Sequence, residues 1–295
     1  MRATTDRPFG LGVFAPPAGR VAPGAVERYA ATLTREVERY GVELGSPRRD
    51  DDGFEEKLRV AADEGVAVVS FTFGLPPADA MAALRDAGIE VWVTVTTAAE
   101  ARAAAAAGAD ALVVQGVEAG GHRGSFDDEG PGDLGLLALL QLVQASVDLP
   151  LVATGGVATG RGIAAVLAAG ARAAQLGTAF MLTPEAGTSP VHREALRTGA
   201  PTALTRAFTG RTARGLENRF LVEHGDAPPA YPEVHHLTAP LRAAARERGD
   251  PDALHLWAGQ AHALARELPA AELVRRLAEE AQAAVRDARR RLGPP

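Results

Sequence analysis

The chain has 295 residues, 46% of them hydrophobic and 23% charged, with a formal net charge of -6 and no cysteine. That make-up belongs to a folded globular protein; its acidity leaves no basic footprint for nucleic acid, and the absent thiol removes disulfides, thiolate nucleophiles and cysteine-bound metals together. No apolar run reaches the roughly 18 residues needed to cross a bilayer, and Arg, Pro and Gly stand near the N-terminus where a signal-peptide core would be, so the expected setting is cytoplasmic.

In chain order the strand-like runs are "FGLGVF" (Phe9–Phe14), "VAVVSFTF" (Val66–Phe73) and "EVWVTV" (Glu90–Val95). "ALVVQ" (Ala111–Gln115), "PLVAT" (Pro150–Thr154) and "AAQLG" (Ala173–Gly177) complete the series. Between them lie "PADAMAALRDAG", "AAEARAAAAAGA", "DLGLLALLQLVQAS" and "GRGIAAVLAAGA", with apolar residues at helical spacing and glycine closing most of them. Strands separated by single helices, apolar on both faces, give βαβ units and a buried parallel sheet. "VTVTTAAEARAAAAAGADALVVQG" and "LVATGGVATGRGIAAVLAAGARAAQLG" also share one plan of strand, Thr/Gly turn, helix, "AAGA" and strand. A repeated βα unit suits an α/β fold of the TIM-type (β/α)8 barrel better than the alternative, an open doubly wound sheet.

After Phe180 the rhythm changes. "TPEAGTSPVHREALRTG" reads as a loop and a helix, "TALTRAFTGRTARGLENRFL" as irregular with a short strand, and "DAPPAYPEV" as a linker. From Pro240 the chain is helical and ends in "AAELVRRLAEEAQAAVRDARRRL", whose single apolar stripe among many charges suits a solvated outer helix, or else a partner-binding one. The expected division is barrel strands and helices over residues 1–185, an irregular active-site lid over 186–239, and C-terminal helices over 240–295 packed on the barrel.

Two glycine turns follow consecutive strands, "ATGGVATG" (Ala153–Gly160) and "QLGTAF" (Gln175–Phe180). Glycine lets backbone approach a ligand, and free N–H groups at a helix start favour an anion. Neither turn is a dinucleotide fingerprint or a P-loop. Their succession fits the phosphate site that barrel enzymes build from the loops after strands 7 and 8. On that count four strands precede them, so the barrel is expected to be incomplete at the N-terminus, entered at its third strand.

"LVVQGVEAGGHRGSFDDEGP" (Leu112–Pro131) places Gln115 at a strand end, glycines at 116, 120 and 121, and then His122. Barrel active sites are built at that end of the strands, and an imidazole is the side chain best suited to move a proton near neutral pH. His122 is therefore the candidate catalytic residue; the plainer alternative is a loop histidine with one structural hydrogen bond. The histidines at 192, 224, 235, 236, 255 and 262 lack metal-ligand spacing and read as structural or solvated. The acidic runs "RRDDDG" and "FDDEG" lack EF-hand spacing, no G-x-S-x-G elbow exists, and Trp257 in "LWAGQ" either covers the site or packs in the core.

"VVQGVEAGGHRG", followed by "PLVATGGVATGRGIAAVLAAGARAAQLGTAFMLTPEA", resembles the nitronate monooxygenase (2-nitropropane dioxygenase) family; "VSFTFGLPP", "FTGRTARGLENRF" and "LWAGQ" are similar to its other blocks. The resemblance runs from Pro8 to about Gln260, and "QGxEAGGHxG" is its specific string. It implies an FMN-binding barrel domain, oxidation of alkyl nitronates or nitroalkanes by O2, and no metal. By position, the family's base falls on His122 and its FMN contacts on Gln115, Gly120, Gly155, Gly156, Gln175, Leu176, Gly177 and Thr178. The family's opening P-I-x-Q-A-P-M strand has no counterpart, and Gly12 stands where members carry asparagine. The alternatives are an NAD(P)H-dependent FMN reductase of the enoyl-acyl-carrier-protein or quinone reductase type, and an incomplete barrel without activity. The expected partners are a small-molecule nitronate and O2, with homo-oligomerisation left open.

Overall fold

Each of the six apolar runs becomes a strand. In the computed structural model, which describes residues 6–17, 19, 21–130 and 132–293, β1 (Gly10–Phe14) leads through α1 (Ala25–Thr32), α2 (Thr34–Tyr40) and α3 (Phe54–Asp63) to β2 (Val68–Thr72). Helix and strand then alternate through α4 (Ala78–Asp86), β3 (Glu90–Val95), α5 (Ala98–Ala107) and β4 (Ala111–Gln115). The short β5 (Gly121–His122) interrupts before α6 (Leu136–Gln144), β6 (Leu151–Thr154), α7 (Gly160–Ala168) and β7 (Ala173–Gln175). Next come α8 (Pro190–Arg197), the hairpin β8 (Thr202–Thr205) and β9 (Ala213–Leu216), α9 (Arg219–Glu223), α10 (Glu233–Glu247) and α11 (Ala270–Leu292). Pro131, the expected end of the His122 loop, lies outside the described residues.

The sheet order is β1-β2-β3-β4-β6-β7, every pairing parallel. This is the expected TIM-type architecture with, among the described residues, six staves in place of eight, a curled half-barrel whose outer strands are β1 and β7. The central β4 is buried at every position, as a strand covered on both faces should be. Phe71, Val93, Leu112 and Val114 meet Ala101, Ala104, Leu139 and Leu140 of the helices in one apolar cluster.

The internal repeat is structural. Thr97 opens α5 by accepting from Glu100 N at 3.1 Å, and Thr159 opens α7 by accepting from Gly162 N at 3.1 Å. At the other ends, the "AAGA" glycines Gly108 and Gly170 take φ of 89° and 102°, the left-handed geometry that stops a helix at low steric cost.

The last helix is less isolated than its charge suggests. α11 buries Leu273, Leu277 and Ala281 and packs on α7, where Gly160 is the point of closest approach. A Cβ on Gly160 would lie 2.5 Å from Ala281 N and 2.6 Å from Leu277 O. Gly160→Ala should therefore push the two helices apart and cost about 1–3 kcal/mol, the usual penalty of overpacking. The measurement is a urea midpoint together with proteolysis of the C-terminal helix; unchanged values in both would contradict this packing.

Helices α1 and α2, which the sequence pattern did not single out, join a second apolar cluster with the C-terminal half. Tyr29, Leu33 and Tyr40 pack there with Phe208, Phe220, Leu237 and Leu241. Arg219 clamps the buried Glu36 of α2 bidentately, at 2.6 and 2.8 Å. The stretch read as irregular holds the β8–β9 hairpin, and β5 joins its open side to make a small antiparallel sheet. That pairing carries His122, opposite Ala213. Among the described residues no helix is long and apolar enough to cross a membrane.

Candidate active site

The loops after β4, β6 and β7 converge on a cavity of about 210 Å³. Gln115, Gly120, Gly155, Gly156, Gln175, Gly177 and Thr178 line it, with Thr72 and Thr94 from the strands and Gly259 from the segment before α11. Of the residues singled out from the sequence, Leu176 and His122 are not in this lining. Gly155 and Gly156 have φ of 110° and 67°, a geometry that favours glycine. A Cβ on Gly177 would meet no atom within 4 Å, so the backbone there faces open space. The Thr178 hydroxyl accepts from Gly259 N at 3.0 Å, which ties the β7 loop to the C-terminal segment and leaves the hydroxyl proton free to donate.

The start of α7 differs from expectation. Its first amides are taken by protein oxygens: Gly160 N donates to Glu280 Oε2 at 3.1 Å and Gly162 N to Thr159 Oγ1. The surface that borders the cavity is the preceding turn, Gly155 to Ala158. An anion here would meet that turn and the Gly177–Thr178 backbone, with the helix start already capped.

Gln115 braces the histidine loop. Its Oε1 accepts from Gly124 N at 2.8 Å and Arg123 Nη1 at 3.0 Å, and its Nε2 donates to His122 O at 3.1 Å. One Nε2 proton remains for a ligand. The loop glycines answer to chain packing as well as to the cavity. A Cβ on Gly120 would lie 2.5 Å from Ala258 C, and one on Gly116 would lie 2.6 Å from Leu136 Cβ.

The sequence reading placed the His122 imidazole and both glycine turns around one cleft. The turns do share it, whereas the imidazole packs among rings: Trp257 at 5.5 Å, Phe73 at 5.7 Å and Tyr231 at 5.8 Å between centroids. Trp257 thus lies against the histidine. Phe73 has φ of 81°, rare for a bulky residue. The Arg211 guanidinium stacks over the Phe73 ring at 3.9 Å. His122 Nε2 meets Thr209 Oγ1 at 2.9 Å.

Burial, then the charges of Arg211, His235 and Arg242, push the His122 pKa down to about 3, so the ring is neutral at ordinary pH. Arg242 is itself buried, with 6% exposure. It donates to Thr238 Oγ1 at 3.2 Å, His235 O at 2.7 Å, His235 Nδ1 at 3.3 Å and His255 Nδ1 at 3.5 Å. None of these partners is a carboxylate, so the positive charge stands uncompensated beside the imidazole; burial brings the Arg242 pKa down to about 10. A buried guanidinium without a carboxylate partner favours an anion nearby. The adjacent pair read as structural or solvated splits: His235 belongs to this cluster, and His236 Nε2 pairs with Asp50 at 2.7 Å. Glu36, Glu223 and His224 are near enough to share an ion, but Arg219 already bonds both carboxylates.

Phe73, Thr209, Arg211, Tyr231 and Arg242 were missed as site residues. Strand-end position was a usable signal for Phe73. The others come from segments that read as irregular, linker and helix, and tertiary folding alone brings them to His122.

A parallel half-barrel with a glycine-lined cleft at its strand ends, next to a neutral histidine under positive charge, defines a TIM-type barrel enzyme. The sequence profile of the nitronate monooxygenase family matches residues 1–280, and the chain belongs to that family of oxidoreductases. It is 45% identical to nitronate monooxygenase from Pseudomonas aeruginosa over 293 residues, covering 95% of this chain and 83% of the relative. The nitronate monooxygenase of Paraburkholderia phytofirmans is 40% identical, covering 98% and 82%. Among solved structures, nitroalkane oxidase from Streptomyces ansochromogenes superposes with a TM-score of 0.93 at 54% identity, over 98% of this chain and 84% of that one. FabK from Thermotoga maritima gives 0.71 at 26%, over 97% and 80%.

Proposed function

We propose that this chain oxidises alkyl nitronates, or nitroalkanes once deprotonated, with O2 as oxidant, FMN as cofactor and His122 as base or charge stabiliser. The observation that carries the reading is the neutral imidazole under the uncompensated charge of Arg242, next to a cleft lined by open glycine backbone. The names carried by the relatives support it.

The cleft fits FMN in its donor set: the Gly155–Gly156 turn and the Gly177–Thr178 backbone would hold the phosphate, with Gln175 and Leu176 beside them and Gln115 and Gly120 toward the ring. The open space at Gly177 is what a bound phosphate requires. FMN, when bound, would supply the electron transfer between substrate and O2. The remaining work falls to the chain. His122 would take the α-proton of a nitroalkane, and the field of Arg211 and Arg242 would stabilise the resulting anion. With a nitronate already formed, the same groups would orient it. The aromatic rings around His122 exclude water from that exchange. Segment 186–239 contributes Thr209, Arg211 and Tyr231, which supports its reading as the active-site lid of a barrel domain spanning residues 1–185; 240–295 packs on the barrel and adds Arg242, Trp257 and Gly259 to the site. The substrates are small molecules, met in the cytoplasm.

The purified protein should be yellow, with the visible absorption of oxidised flavin. Anaerobic mixing with propionate 3-nitronate should bleach it without NAD(P)H. The likeness to FabK keeps the reductase alternative in the test: bleaching by NAD(P)H alone would favour it. A folded, colourless protein that takes up no FMN would overturn both.

A further inference from the structure

We propose that Thr209 is a positioning residue that fixes the tautomer of His122, placing the ring proton on Nε2 and the basic lone pair on Nδ1. The inference rests on the reading of His122 as the base.

Thr209 Oγ1 has three neighbours: His122 Nε2 at 2.9 Å, Arg211 O at 3.3 Å and Arg211 N at 3.4 Å. A hydroxyl carries one proton and two lone pairs. Arg211 O can only accept, so its contact is a hydrogen bond only if it takes the hydroxyl proton. Arg211 N can only donate, so it takes one lone pair. The second lone pair then faces His122 Nε2, and the contact is a hydrogen bond only if that nitrogen bears hydrogen. Turning the hydroxyl proton toward His122 would leave Arg211 O without its donor, in a group where Thr209 is 2% exposed and Arg211 is 9% exposed. An unpaired buried carbonyl is the costlier choice.

Nothing else at the imidazole competes. Phe73, Tyr231 and Trp257 hold the ring by its faces and edges and make no hydrogen bond to it. Nδ1 has no partner among the described residues and is not among the fully enclosed polar atoms, so it is the nitrogen open to substrate. Thr209 is itself held rigidly. Its N–H donates to Arg206 O at 3.2 Å, and the next residue, Gly210, has φ of 78° and no room for a Cβ, which would lie 2.5 Å from Ala230 C. The histidine backbone is fixed independently, by the β5–β9 pairing and by Gln115. Main chain and ring proton are thus set by separate groups, and the hydroxyl governs only the second.

The test is nitrogen NMR of the imidazoles in the flavin-loaded protein labelled at histidine, with the His122 signals identified by their loss in His122→Asn. The wild type should show a protonated Nε2 and a bare Nδ1. Thr209→Val, which keeps the shape and loses the hydroxyl, should mix the two tautomers, and Thr209→Ser should restore one. In parallel, Thr209→Val should lower kcat/KM for a neutral nitroalkane roughly tenfold, the size of one buried hydrogen bond, and change turnover of the preformed nitronate much less. A protonated Nδ1 in the wild type, or an unchanged tautomer in Thr209→Val, would overturn the proposal. Retained nitroalkane turnover in His122→Asn would instead refute the base reading, while the NMR arm would still decide the tautomer.

Discussion

His122→Asn should lower kcat/KM for neutral nitroalkanes by roughly 10²- to 10⁴-fold, the range lost with a positioned general base, while the flavin stays bound. Asparagine stays polar but ends short of the Nε2 position that meets Thr209, and the β5 pairing and the Gln115 contact use only backbone atoms of residue 122. What disappears is the basic nitrogen. Nitronates, which have already lost the proton, should be affected far less. Because burial and nearby positive charge hold the wild-type pKa at about 3, the ring stays unprotonated over the whole physiological range, as a weaker base than an ordinary imidazole. The pH profile of nitroalkane turnover should therefore show no acid limb near 6.5, the ordinary histidine value. Equal losses on both substrate forms, or an acid limb at 6.5, would contradict the role assigned to this ring.

The second large effect is on stability in mild acid. Burial, followed by the charge of Arg242, brings the pKa values of His255 and His235 down to about 3 and about 4, alongside His122 at about 3. The unfolded chain binds these protons near pH 6.5; the folded chain does not until pH falls to the depressed values. Proton uptake thus favours the unfolded state, so the contribution is complete above 6.5 and is lost as pH falls from 6.5 toward 3–4. Three such groups give a slope of at most about 4 kcal/mol per pH unit, reduced by solvent screening because the rings are partly exposed. The urea midpoint should drop steeply between pH 6.5 and 5, where most carboxylates are still ionised. His235→Asn, whose amide oxygen lies near the Nδ1 position that accepts from Arg242, should flatten the slope by about one proton. A midpoint that is level across that interval would show that these rings protonate freely.

The strands were legible because β-branched runs bounded by glycine have few alternatives, and the barrel because βα units recur in one order. Helices α1 and α2 were not, since their burial is set by contact with Phe220 and Leu237, far along the chain. The site divides in the same way. A glycine announces close approach, so Gly120, Gly155 and Gly177 could be picked out. It does not announce what approaches, and at Gly120 the closest neighbour is the Ala258–Gly259 backbone. The left-handed turn at Phe73 was invisible because the residues that signal such a turn are glycine and asparagine. Thr209 and Arg242 are ordinary in composition and acquire meaning from a hydroxyl proton count and a missing carboxylate, neither of which a linear string contains.

The interlock at Gly120 bears on the order in which the molecule assembles. Gln260 N donates to Glu118 O at 3.0 Å, and Gly259 N donates to Thr178 Oγ1, so the wall of the cleft comes from the far end of the polypeptide. During synthesis the half-barrel can form while that wall is still in the ribosome. The pocket is complete only once residues 259 and 260 have docked on Thr178 and Glu118.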